Sequence, residues 1–429
     1  MESKVYIDPY PKTMKMLGLE RINIDCGNNT SIVTPANIAK DMVALLPDEV
    51  FIPESKFLDI CCKSGIFLTS IREKLMNSKA MIESFPDDKE RYKYITNNQL
   101  FSITPNGQCQ MYSVRAVYGT LKVDTPHILC FGVFDQYKTA CLNNNHKMLI
   151  EEMKKEFGQM KFDVVIGNPP YNKDIYLDFV TLGHTLASKY DCWITPAKWQ
   201  AKGGQKNEDF RKNIVPYMSK IVYYPYCKDI FDITCHGGIT YYLIDKQKHN
   251  NSKLSVRHKN EDVFIQDCDA QYSNKAYSLY GDFIEKFIGK IINGNKQHLY
   301  VNRKLDGMYK CKILHVYSGN LSGLNCIGGM VIAPMEINMT NDIKSDHYVI
   351  YSGKMEECES FKSYLYTKFV RFCLALGVHT QHFNNDEAWR FVPAPEAFDH
   401  IFTDQELYKK YDLTDEEINI IESVIKERK

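Results

Sequence analysis

Three things are missing from this sequence, and each absence removes a class of function. There is no charge excess, because 53 lysines and arginines are matched by 53 aspartates and glutamates. A neutral chain has no global field to draw in a polyanion, so any nucleic-acid surface must be a local patch. No apolar run approaches the roughly 20 residues of a membrane span, and the first residues, MESKVYIDPYPK, hold no apolar signal core. A membrane partner is therefore not expected. Finally, the 14 cysteines include no C-x-x-C pair, which predicts reduced thiols in a cytoplasmic protein, with neither a disulfide framework nor a zinc site. Cys227, Cys235 and His236 come nearest to a metal cluster, but their spacing fits no common ligand set, and no metal is expected. Repeats and low-complexity segments are absent too. What remains is 429 residues, 44% hydrophobic and 25% charged, an ordinary globular composition with room for two or three domains.

The most informative stretch is KFDVVIGNPPY, residues 161–171. Phe162 to Ile166 is short, apolar and rich in β-branched residues, the pattern of a strand buried on both faces. Gly167 ends it, and Asn168-Pro169-Pro170-Tyr171 forms a stiff turn just past the strand's carboxyl end, where open α/β sheets bind their ligands. Two prolines remove two backbone N–H donors, so the turn offers mainly acceptors: the Asn168 side-chain oxygen and the Pro169 carbonyl. An amine with two hydrogens can give one to each, while Tyr171 stacks on the ring that carries it. Such a grip localises the amine's lone pair and aims it, which is catalysis by positioning rather than by a strong base. A proline-stiffened loop with a surface tyrosine would show the same four letters.

Two segments upstream match a nucleotide-binding sheet. In SIVTPANIAKDMVAL (31–45), Thr34 suits an N-cap and Pro35 the first helical position, with Ile38, Met42 and Leu45 at helical spacing. Next, FLDI (57–60) reads as a strand, CCKSG (61–65) as a tight turn and IFLTSI (66–71) as a helix. Asp59 is placed to hold an ammonium or hydroxyl group of a ligand. Gly65 permits close approach, although Lys63-Ser64-Gly65 stands where a G-x-G would be expected. A plain β–turn–α crossover accounts for this unit equally well.

Taken in order, Thr34-Pro35, LDICCKSGIFL (58–68) and VVIGNPPY (164–171) resemble the gamma class of adenine-N6 DNA methyltransferases, and especially the methylase modules of bacterial restriction–modification systems. The likeness continues through CWITPAKW (192–199), residues 223–246 and residues 368–425, and is weakest over 251–350. It implies an α/β fold: a doubly wound, mostly parallel Rossmann-like methyltransferase sheet with a C-terminal mixed α/β target-recognition region. The expected division is an arm at 1–30, a catalytic domain at 31–247 and a DNA-binding domain at 248–429. It also implies S-adenosylmethionine as cofactor and double-stranded DNA as partner, with a restriction endonuclease where a system carries one, in a bacterial or phage setting.

On matching positions, the resemblance gives Asn168, Pro169, Pro170 and Tyr171 to catalysis. Thr34 and Pro35 would border the methionine moiety, and Asp59, Cys61, Ser64 and Gly65 its amino and carboxylate groups. The strand NQLFSIT (98–104) should end in an acid for the ribose, and Thr104 stands there instead. HILCF (127–131) supplies a third strand. Phe179 matches an aromatic that packs on the cofactor ring, and equally suits a helix core. Phe231 matches the residue that covers the target base opposite Tyr171, replacing the stacking lost when a base leaves the duplex; strand-edge packing explains it as well.

Farther along, residues 248–262 are polar and read as a linker or exposed turn. The window 286–312 carries seven basic residues (Lys286, Lys290, Lys296, Arg303, Lys304, Lys310 and Lys312) against Asp306 alone. It could neutralise phosphates, with Lys296, Arg303 and Lys304 as contacts; a solvated helix face is the plainer account. Gln381 and His382, after a helix-like stretch 361–376, are candidates for reaching base edges. Two capping boxes, at Thr403–Glu406 and Thr414–Glu417, open terminal helices. The alternatives that stay open are an N4-cytosine, RNA or protein-glutamine methyltransferase and a non-catalytic nucleic-acid-binding scaffold. The recognition sequence is not legible.

Overall fold

The computed structural model describes residues 24–25, 30–123, 127–130, 146–158, 161–171, 174–200, 204–258 and 261–269 (without 225–226, 234, 236–237 and 250) and, farther on, 286–291 (without 288), 306–313, 335–342, 349–377, 389 and 391–425. Among these, nine strands form one sheet: β1 (Phe57–Asp59), β2 (Leu100–Thr104), β3 (Ile128–Cys130), β4 (Phe162–Gly167), β5 (Ala187–Pro196), β6 (Met218–Tyr224), β7 (Ile239–Asp245), β8 (Asn251–His258) and β9 (Glu261–Asp269). Their order is β3-β2-β1-β4-β5-β7-β6-β8-β9. Strands β3 to β5 run parallel, β7 lies antiparallel between β5 and β6, and β9 closes the edge antiparallel to β8.

Two-sided burial explains the central strands. Along β4, Val164 and Ile166 pack on one face while Phe162 and Val165 pack on the other. A period of two with both faces apolar demands helices on both sides. On the first face lie α1 (Ala36–Ala44), α2 (Ile66–Met76) and α3 (Gly107–Tyr118), which contribute Ile38, Met42, Phe67, Ile71 and Val117. On the second lies α4 (Ile175–Leu186), with Ile175, Phe179, Val180 and Leu182 against Trp193 and Leu58. The chain goes outward from β1 to β3 and returns to β4 beside β1, with Asp59 in register with Ile166. That reversal is the switch point where such sheets bind ligands.

Two expectations are corrected here. Within the polar stretch 248–262, residues 251–258 form β8 and 261–262 open β9, so these are strand and not linker, and the large sheet runs on to Asp269. And the stretch 361–376 is not one helix. Thr367, with φ −58° and ψ 148°, separates Met355–Tyr366 from Lys368–Gly377. The C-terminal region has its own core, in which these two helices, Asp404–Lys410, Asp415–Val424 and the antiparallel strands β10 (Tyr309–Ile313), β11 (Met335–Met339) and β12 (Val349–Gly353) bury Phe361, Phe369, Trp389 and Leu407. Of the two caps, Thr414–Glu417 is a full capping box; at Thr403 only the hydroxyl takes part, while the Glu406 carboxylate pairs with His400.

Candidate active site

Three segments converge at the switch point. The first is the cofactor-loop candidate after β1. Asp59 is almost wholly buried, its Oδ1 accepting from the Cys61 N–H at 3.0 Å. Burial pushes its carboxyl up to about 7, against the pull of the Cys61 N–H and the nearby Lys63 charge. A carboxylate so desolvated is poised to take a cation. Gly65 opens α2 in the left-handed region, φ +78°, where a Cβ would also stand 3.2 Å from the Ala116 Cβ and the Ser113 Cα of α3. Only glycine gives both the turn and this closeness. Cys62 Sγ lies 3.2 Å from Ser113 Oγ, and Ser64 is buried.

The second segment is the turn after β4. A Cβ on Gly167 would strike Cys61 Sγ at 2.6 Å and stand 3.5 Å from Asp59 Oδ1. The glycine therefore allows the ends of β1 and β4 to close, and the Asn168 backbone N–H hydrogen-bonds the Cys61 thiol across that junction. Asn168 is buried, and its side-chain Oδ1 has no hydrogen-bond partner. Pro169 is buried as well, and Pro170 and Tyr171 are half-buried. The Tyr171 hydroxyl is buried and unpartnered, and burial raises its pKa.

The third segment leads into α1. Thr34 does not cap that helix, whose start has no side-chain cap bond. Its hydroxyl instead accepts from Asn168 Nδ2 at 3.0 Å, and the Ile32 carbonyl accepts from the same nitrogen at 3.4 Å. Pro35 precedes the helix rather than sitting inside it. Lys63 Nζ donates to the Ile32 carbonyl at 2.9 Å, tying the cofactor loop to this segment. Neither Ile32 nor Lys63 was a candidate from sequence for holding the catalytic amide. The contact spans more than a hundred residues, and no local pattern encodes it.

Tyr171 and Phe231 do come together. Their ring centroids lie 6.4 Å apart with planes inclined at 67°, an edge-to-face pair. Phe231 is buried, held by the bond from its N–H to the Cys227 carbonyl. Two expected cofactor contacts are engaged inside the fold. Thr104 is buried, and its hydroxyl donates to the Leu129 carbonyl at 2.9 Å inside the sheet, so its proton is not offered to a ribose. Phe179 is fully buried in the packing of the second face, with no side open to a ligand. The proposed DNA contacts Lys296, Arg303, Lys304, Gln381 and His382 lie outside the described residues. Of the other basic candidates, Lys310 is buried, and Lys290 pairs with Glu417 and the Asp412 carbonyl. No cluster of metal-ligating side chains occurs among the described residues. A cavity of about 740 Å³ near Lys40, Phe51 and Lys74 shares no residue with this site.

These residues fit S-adenosylmethionine: a buried carboxylate for its ammonium, a glycine-opened loop for its carboxylate, and an unsatisfied acceptor across the junction for an incoming amine. Residues 134–231 match the model of the Eco57I restriction-modification methylase family, a span that contains the NPPY turn and ends at Phe231. An uncharacterized adenine-specific methylase of Mycoplasma pneumoniae is 25% identical over 321 residues, covering 56% of this chain and 74% of that protein. Among solved structures, the type I restriction enzyme M protein M.EcoKI superposes with a TM-score of 0.39 at 13% identity, over 54% of this chain and 49% of its own. The type I methyltransferase subunit of Streptococcus thermophilus does so at 0.37 and 14%, over 56% and 51%. This chain thus spans about half the length of those structures. By its family-model match over residues 134–231 and its 25% identical relative, the chain is similar to the restriction-modification methylases, and it carries the NPPY turn at the switch point of its sheet.

Proposed function

We propose that this protein transfers a methyl group from S-adenosylmethionine to the N6 of adenine in double-stranded DNA, acting on a base rotated out of the duplex. The observation that carries the reading is Asn168 Oδ1, a buried acceptor without a donor at the mouth of the cofactor loop. An unmet buried acceptor costs about 1–3 kcal/mol, and an amine arriving there removes that penalty. The Pro169 carbonyl in the same turn takes the second hydrogen. With both hydrogens held, the nitrogen lone pair leaves conjugation with the ring and points across the junction. S-adenosylmethionine, when bound, would supply the sulfonium methyl: the lone pair would bond to that carbon as the carbon–sulfur bond breaks, and the neutral thioether would leave with the electron pair. Asp59 takes its amino group, and Cys61 to Gly65 turn their backbone toward its carboxylate. The proton leaves N6 after the nitrogen has become cationic, so no strong base is needed.

Tyr171 and Phe231 supply the faces on which the extruded base stacks. They must part from their edge-to-face contact, because a ring held between two others needs about 7 Å, twice the contact distance. No helix of the described residues is long and apolar enough to cross a membrane, and the reading needs only duplex DNA and the cofactor. A cognate endonuclease is a further partner under this reading.

The test is Asn168→Ala. Wild-type protein incubated with isotope-labelled S-adenosylmethionine and an adenine-containing duplex should yield N6-methyladenine, measured by digestion and mass spectrometry. The variant should lose about 100- to 1,000-fold in rate, of the order seen when a preorganised hydrogen-bonding group is removed, and bind cofactor with unchanged affinity. Wild-type turnover by the variant would overturn the mechanism. N4-methylcytosine as the product would move the substrate to cytosine, and no heat on titrating S-adenosylmethionine would favour a scaffold.

A further inference from the structure

We infer that Thr34 and the Ile32 carbonyl are the positioning groups that fix which end of the Asn168 amide faces the substrate, with Lys63 holding the Ile32 carbonyl in place. The inference rests on the methyl-transfer reading of the same site. A primary amide turns about a soft, nearly two-fold torsion that exchanges its oxygen and nitrogen. One orientation presents an acceptor to an incoming amine, and the other presents a donor that repels it. Here both Nδ2 hydrogens have acceptors, Thr34 Oγ1 at 3.0 Å and the Ile32 carbonyl at 3.4 Å, which leaves Oδ1 alone to face outward. The carbonyl decides the matter, because it only accepts: a turned amide would set two oxygens against each other. Thr34 lies one residue before Pro35, the cap position of α1, makes no cap bond and is buried.

Lys63 completes the device. Its ammonium donates to the same Ile32 carbonyl at 2.9 Å and lies near enough to Asp59 to lower that carboxyl's pKa. The residue that departs from the expected small-residue loop therefore links the Asp59 loop to the catalytic amide. A consequence particular to this chain is that Asn168→Asp should fail, since a carboxylate there faces the Ile32 carbonyl with no hydrogen to give.

The experiment compares Thr34→Val, which keeps shape and loses the hydroxyl, with Thr34→Ser, which keeps the hydroxyl. Single-turnover methyl transfer at saturating S-adenosylmethionine and duplex should fall 10- to 100-fold in Thr34→Val, with cofactor affinity within twofold of wild type. Thr34→Ser should return to within threefold, and Asn168→Asp should lose more than 100-fold. A Thr34→Val enzyme with wild-type saturated rate and weakened cofactor binding would overturn the inference, making the hydroxyl a cofactor contact only. A second readout needs no turnover: in protein labelled with ¹⁵N-asparagine, the Asn168 side-chain amide protons should exchange slowly in wild type and at least tenfold faster in Thr34→Val. Equal exchange in both overturns the inference. Protected protons in a wild-type protein that methylates no duplex would instead overturn the methyl-transfer reading and leave the amide lock standing.

Discussion

Asp59 shows how far one buried carboxyl can be followed. Its pKa of about 7 comes first from burial, and the folded value lies above the ordinary 3.8. The protonated form is thus favoured in the fold, so this contribution to stability is complete below about pH 4 and is lost as pH rises through 7. A shift of about three units corresponds to roughly 4 kcal/mol at most. Cofactor-free Asp59→Asn should therefore resist urea better than wild type at pH 8, with the gap closing toward pH 5. Binding carries the opposite sign, because an ammonium partner needs the ionised form. S-adenosylmethionine affinity, measured by calorimetry, should improve about tenfold from pH 6 to 8 and level off above that, and Asp59→Asn should be weak and flat with pH. A Kd constant from pH 5.5 to 8.5 in the wild type would exclude Asp59 from the cofactor site. Asp59 and Asn168 were legible in the sequence because each ends a short apolar strand, and strand ends are where such sheets act. Thr34 was legible as a residue of interest but not in its bonding, since the hydroxyl's choice between its own helix and Asn168 is made by tertiary contact. Thr104 and Phe179 fell on the right elements, yet their side chains serve the core.

Four of the strands buried on both faces were readable. The segments at 57–60, 98–104, 127–131 and 162–166 lie within a residue or two of β1, β2, β3 and β4. The pair β8–β9 was not, for a physical reason. It lies at the sheet's edge, where Lys253 is exposed and Ser255 half-exposed while Ser252 and Leu254 are buried, so only every second position is inside and not all of those are apolar. The junction of β1 and β4 depends on Gly167, where a Cβ would meet Cys61 Sγ at 2.6 Å and the Trp193 ring at 3.0 Å. Gly167→Ala must separate the two strand ends, at a cost of about 1–3 kcal/mol, and lengthen the bond between Asn168 and Cys61. Methyl transfer should fall more than tenfold and the melting temperature should drop by several degrees. Gly107→Ala is the matched control: nothing lies within 4 Å of its added Cβ, and it opens α3, so a small gain in stability and unchanged transfer are expected. If both variants behave alike, close approach of the strand ends is not what Gly167 provides.

At the scale of the molecule, the neutral charge balance makes duplex binding a question of where cations are free to meet phosphates. The basic window at 286–312 divides on this point. Lys290 is engaged by Glu417 at 2.8 Å, and Lys310 is buried in β10, so these two hold the C-terminal core together. A count of positive letters could not show that Lys290 is engaged, because its partners lie more than a hundred residues away; Lys296, Arg303 and Lys304 lie outside the described residues. The two groups should differ in one measurable quantity. Each lysine or arginine on a phosphate adds about 0.9 to the slope of log affinity against log salt. Replacing Lys296, Arg303 and Lys304 together with alanine should lower that slope by about 2–3, weaken duplex binding most at low salt and leave the melting temperature near wild type. Lys290→Met should do the reverse, lowering the melting temperature with an unchanged slope, because its loss leaves the nearly buried Glu417 carboxylate without its cation. A triple variant that keeps the wild-type slope would take the phosphate contacts off this window and place them on the catalytic sheet or on the helices of the C-terminal region.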